Sequence, residues 1–110
     1  MKKILGAALG DCVHVGGLHH FLKLAESEGF ITESLGPAVS VERIIDHVKS
    51  LHPDIVAISY RLTAGNLSHL INDLFDKVKS YGIHYPRFIF GGPPPVALIA
   101  RNSGYFEKIS

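Results

Sequence analysis

Asp54-Ile55-Val56-Ala57-Ile58-Ser59 is rich in β-branched residues, and its apolar character is continuous rather than alternating. A run of that kind suits a strand covered on both faces, as in the centre of a parallel sheet. His52-Pro53 breaks whatever precedes it, because the residue before a proline is pushed out of the helical region. The preceding segment has the helical period, with Val41, Ile44, Ile45, Val48 and Leu51 on one face and Ser40 as N-cap. After Ser59 comes a polar turn, Tyr60 to Gly65, and then a third helical stripe of Leu67, Leu70, Ile71, Leu74, Phe75 and Val78, with Asn66 as the expected cap and Gly82 as its end. The strand is therefore flanked by helices in sequence.

The same alternation continues outward. Lys3 to Leu9 is a short apolar run ahead of a glycine turn, and from Leu18 the period becomes helical through Phe21, Leu22 and Ala25 to a stop at Gly29. Phe30 to Leu35 reads as a second strand, ended by Gly36-Pro37. Arg87 to Phe90 reads as a fourth strand, followed by Gly91-Gly92-Pro93-Pro94-Pro95, a short helix from Val96 to Arg101, and a possible fifth strand beginning within Tyr105 to Ile109. An order β-α-β-α-β-α-β-α means an α/β, doubly wound parallel sheet with right-handed crossovers. The expected arrangement is flavodoxin-like (Rossmann-like), order 2-1-3-4, with the fifth strand short or missing and no final helix.

Composition sets the bounds. The 110 residues suffice for one domain spanning 1–110, and 46% hydrophobic with 19% charged is an ordinary globular balance. A net charge of +1 with scattered Lys and Arg gives no case for nucleic acid. One Cys excludes an internal disulfide framework, and no apolar run reaches the length of a membrane span. The basic start Met1-Lys2-Lys3 is better read as the entry to a strand than as a targeting head. The expected setting is cytoplasmic, without membrane association.

Three loops share a character. Asp11 to Gly17, Ser59 to Gly65 and Gly91 to Pro95 each follow a strand directly, and each is rich in glycine or small polar residues. In such a sheet they open on one edge, where ligands bind in the crevice beyond the strand ends. The first loop, Asp11-Cys12-Val13-His14-Val15-Gly16-Gly17, also carries an acid, a thiol and an imidazole, groups that hold metals or move protons. His19 and His20 open the next helix and read as rim or surface, while His47, His52, His69 and His84 share no ligand spacing.

From Lys3 to about Pro95 the chain resembles the cobalamin-binding domain of corrinoid mutases and methyltransferases, whose three loops carry Asp-x-His-x-x-Gly, Ser-x-Leu and Gly-Gly. His14-Val15-Gly16-Gly17 matches His-x-x-Gly, and Gly91-Gly92 matches directly. Asp11 stands one position earlier than the family's Asp, where Cys12 is found in its place; Arg61 occupies the usual Leu position, and Leu62 follows it. The resemblance implies that His14 binds cobalt from below and Asp11 orients its other nitrogen. It implies that Cys12, Val13, Val15, Gly16 and Gly17 shape the first loop. It further implies that the displaced dimethylbenzimidazole tail runs in a slot lined by the loop of Ser59, with Leu62 and Thr63, and by the loop of Gly91, Gly92 and Pro93; Tyr60 and Arg61 are the candidates to cover the corrin edge.

The function expected is a corrinoid carrier, non-catalytic alone, holding adenosylcobalamin or methylcobalamin for a separate barrel mutase or methyltransferase subunit. A start directly at strand one, with no helical cap before it, tips the expectation toward a mutase small subunit. An uncompleted fifth strand would leave a sheet edge open to a homodimer. The alternative is a signalling or flavin-binding module on the same scaffold. A receiver requires a phosphorylatable Asp where Ser59 stands, and a flavin site requires a hydroxyl-rich phosphate cradle that the first loop lacks.

Overall fold

The computed structural model describes residues 2–10, 12 and 16–110. The elements are β1 (Lys3–Ala8), α1 (Gly16–Ser27), β2 (Ile31–Ser34), α2 (Val41–Leu51), β3 (Ile55–Ser59), α3 (Ala64–Ser80), β4 (Arg87–Gly91), α4 (Pro94–Ser103) and β5 (Lys108–Ile109). All pairings are parallel, in the order β2-β1-β3-β4-β5. The sheet is flavodoxin-like, and the fifth strand exists in its short form. It pairs with β4 only through Ile89–Lys108 and Phe90–Ile109.

Successive strand residues point to opposite faces, and the sheet sorts them into two clusters. Leu5, Ala7, Val56, Ile58, Phe88 and Phe90 face the larger one, with Ile44 and Val48 of α2, Leu67, Ile71, Leu74 and Phe75 of α3, and Val96 and Ala100 of α4. On the other face Ile4 and Ala57 meet Leu18, Leu22 and Ala25 of α1, with Ile55 and Ile89 packed alongside. Among the described residues α1 is the helix of this second cluster. It lies close to β1 because a Cβ on Gly6 would come within 3.0 Å of the Leu18 and Leu22 side chains. That approach sets where the first turn of α1 meets the sheet edge.

Three local expectations are corrected. Helix α1 begins at Gly16 rather than Leu18, so Gly16 and Gly17 form its first turn instead of a loop. Helix α4 begins at Pro94, because proline suits the first helical turn, where no amide donor is needed. Helix α3 is capped by Thr63, whose hydroxyl accepts from the Asn66 N–H at 3.4 Å. The Asn66 side chain instead donates to the Tyr60 hydroxyl at 3.0 Å. Replacing Thr63 with Ala should cost about 1 kcal/mol or less, given the long bond, measured by urea unfolding; an unchanged midpoint would mean that the cap contributes nothing.

Candidate functional site

Backbone pairing brings two of the three loops to one point. Ala8 pairs with Ser59, and Ser59 with Gly91. The pairing runs on past the strand ends, since the Leu9 N–H donates to the Ser59 carbonyl at 3.0 Å and the Tyr60 N–H to the Gly91 carbonyl at 3.2 Å. The Gly92 N–H donates to the Ser110 carbonyl at 3.0 Å. The first loop is held from the β2–α2 side, where the Gly10 N–H donates to the Val39 carbonyl at 2.7 Å and the Ala38 N–H to the Cys12 carbonyl at 2.8 Å. Gly10 is required at its turn: its φ is +66°, and a Cβ there would lie 2.7 Å from Leu70.

These ends frame a crevice of about 990 Å³. It lies over β3 and β4 on the α1 side of the sheet. Gly16, Gly17, Ser59, Arg61, Gly91, Gly92 and Pro93 border it, and it is floored by residues such as Ala57 and Ile89 with Phe21 of α1 beside them. A cavity of this size takes a small ligand or a nucleotide-sized part of a larger one. Among the described residues no atom would lie within 4 Å of a Cβ added at Gly16 or Gly17, so backbone is open to a ligand there. Gly91 is similarly open, with its nearest neighbours the Ser110 oxygens at 3.9 Å. Gly92 is closed. A Cβ there would lie 2.4 Å from the Tyr60 carbonyl oxygen and 2.8 Å from Val96. Gly92 therefore lets β4 turn past the end of β3.

Seven of the expected site residues thus meet at one crevice. Tyr60 does not join them. It is fully buried, with its ring in the larger core and its hydroxyl accepting from Asn66, so it is a scaffold residue and not a cover for a ligand's edge. Cys12 is likewise buried in that core, which removes it as an exposed thiol. Leu62 is 39% exposed and Thr63 is the α3 cap; neither borders the crevice. Asp11, Val13, His14 and Val15 lie outside the described residues. Among the described residues no group of three or more His, Cys, Asp or Glu side chains could hold a metal ion.

Other lining residues went unread. Lys108, Ile109 and Ser110 border the crevice from the β5 side, and Leu18 and Phe21 from α1. Phe21 had a signal, as it shares the apolar stripe of α1 and is 37% exposed. Among the described residues two groups are displaced from their ordinary pKa, and both belong to α3 rather than to the crevice. The Asp73 carboxylate raises Lys77, and the hydrogen bond to the Tyr105 hydroxyl raises Lys79. No helix among the described residues is long and apolar enough to cross a membrane.

No family model matches the chain. Solved structures do. Over 99% of its length the chain is similar to a novel cobalamin-binding protein from Desulfitobacterium hafniense DCB-2, at 28% identity and a TM-score of 0.85, spanning 52% of that protein. It is also similar to the methanol:cobalamin methyltransferase complex MtaBC from Methanosarcina barkeri, at 20% identity and a TM-score of 0.74, over 82% of this chain and 34% of that one. The pseudo-receiver domain of the CikA protein matches 100% of this chain and 83% of its own length, at 16% identity and a TM-score of 0.65. The second and third likenesses show the fold alone, whereas the first also carries sequence. The chain spans about half the length of that first protein, and its resemblance, in fold over its whole length, lies with the cobalamin-binding domain family.

Proposed function

We propose that the chain is a corrinoid carrier domain, which holds cobalamin at the carboxyl edge of its sheet and presents it to a separate catalytic subunit. The observation that carries this reading is the crevice beside Ser59 and Gly91, at the ends of two paired strands. The residues present fit the group. Gly16, Gly17 and Gly91 leave room for close approach, the Ser59 hydroxyl offers a hydrogen bond to a ring nitrogen, and Ala57, Ile89 and Phe21 supply an apolar bed for a flat base. The cavity is of a size that would admit the nucleotide tail of such a group. Bound there, the corrinoid would supply cobalt–carbon chemistry, while the chain's own side chains bind and orient it.

The carrier role is supported by the likeness to the cobalamin-binding protein and by the lack of a second catalytic constellation in the sequence. The partner determines the reaction. A methyltransferase subunit would use the methylcobalamin form and a barrel mutase the adenosylcobalamin form. A receiver function is disfavoured by Ser59 at the end of β3, despite the shared fold. Incubation with cobalamin followed by desalting should leave a pink or red protein at roughly one corrinoid per chain, read by absorbance. A colourless protein, or a yellow one after purification from cells, would overturn the reading.

A further inference from the structure

Among the described residues the crevice has one-sided charge. Of those that border it, Arg61 and Lys108 are cationic and none is an Asp or Glu. Both are exposed, and among the described residues neither pairs with a carboxylate, in contrast to Lys77 with Asp73 and Glu42, or Arg87 with Glu107. They come from separate elements. Arg61 follows β3, and Lys108 lies on β5 opposite Ile89 of β4. Lys108 shares its face of the sheet with Ile89, so its side chain projects over the crevice side. Apart from Ser59 and Ser110 the remaining described lining is apolar or glycine, with Phe21 of α1 among it. An apolar bed under two unpaired cations suits an aromatic group joined to an anion, and it penalises a ligand that has only one of these parts.

We propose that Arg61 and Lys108 form an anion clamp for the phosphodiester of a nucleotide-type tail, so that the crevice selects complete corrinoids over those without a tail. The inference rests on the corrinoid reading and deepens it. Apolar contact places the base, and the two cations hold the phosphate that links it to the rest of the ligand. Exposed pairs of this kind are screened by salt, which gives the clamp a signature distinct from the apolar contacts.

The test is titration of the wild type, Arg61→Gln/Lys108→Gln and Lys108→Glu with cobalamin and with cobinamide, which lacks the phosphate, ribose and base. Both side chains lie on the surface, so folding is expected to be retained and is checked by circular dichroism. Cobalamin affinity should fall roughly fivefold in the double variant and tenfold in Lys108→Glu at low salt, and the differences should shrink toward unity at 0.5 M salt. Cobinamide affinity should be unchanged in all three proteins. If cobalamin binds and the variants match the wild type, or if both corrinoids lose equally, the clamp is wrong and the carrier reading stands. If the wild type binds neither corrinoid, both are wrong.

Discussion

Gly91→Leu should retain the fold and lose cobalamin roughly 30-fold or more, about 2 kcal/mol, whereas Gly92→Ala should damage the fold itself. Neighbouring glycines thus separate binding from stability. Gly91 stands on β4 in alternation with Arg87 and Ile89, so its Cβ would point to the crevice face. The nearest atoms to that Cβ are the Ser110 oxygens at 3.9 Å, an ordinary contact. A leucine there fills the crevice beside Ser59 without pressing on the core. At Gly92 the obstacle is the Tyr60 carbonyl oxygen at 2.4 Å, a backbone atom that cannot swing away, with Val96 and Phe90 at 2.8 and 3.0 Å. Forced contact of that kind costs about 3 kcal/mol or more, enough to lower the melting temperature by on the order of 10 °C in a domain this small. Thermal unfolding and corrinoid titration of both variants check the pair. Gly91→Leu with wild-type affinity would remove the tail from this crevice, and Gly92→Ala with wild-type stability would show that β4 can yield there.

The contrast also explains what the sequence could and could not disclose. Gly91-Gly92 is legible as a motif, yet the two residues serve different ends, and only the packing of Tyr60 and Val96 tells them apart. Tyr60 misleads for the same reason. It follows a strand and precedes Arg61, Leu62 and Thr63, so it reads as the start of a loop. Its N–H instead extends the β3–β4 pairing by one residue, which turns the ring into the core where Asn66 meets its hydroxyl. That use of Asn66 left the α3 cap to Thr63, although both residue types make good caps.

β1, β3 and β4 were readable because buried parallel strands are continuous apolar runs, β2, which is largely exposed, from weak alternation ending at Gly36-Pro37, and the helices from their amphipathic stripes. β5 was legible only as a short possible strand within Tyr105 to Ile109, since a pairing of two residues with a lysine at one of them has no period to detect. The missed crevice wall of Lys108, Ile109 and Ser110 follows from that. Ala57 and Ile89 were read as strand residues, but whether a strand face ends against a helix or a cavity is decided by layering, which no local pattern encodes.

Replacing His14 with Ala should change the absorption bands of the bound corrinoid while leaving much of its affinity. The proposal rests on His-x-x-Gly leading into a helix. The start of α1 at Gly16 puts His14 two residues before the helix and Gly17 within its first turn. A neutral imidazole is a good ligand for a late first-row metal, and a carboxylate on its second nitrogen fixes the tautomer and raises its basicity. Asp11 is the candidate for that role. The proposed tail contacts come from Ser59, Gly91 and the apolar bed of Ala57, Ile89 and Phe21, so binding should persist in His14→Ala, weakened on the order of tenfold. Asp11→Asn should keep the wild-type bands with cobalt ligation weakened roughly tenfold. The measurement is a set of spectra at saturating cobalamin, recorded for the three proteins. Coincident spectra for wild type and His14→Ala would mean that the imidazole never reaches the cobalt, and the lower face would then belong to water or to no ligand.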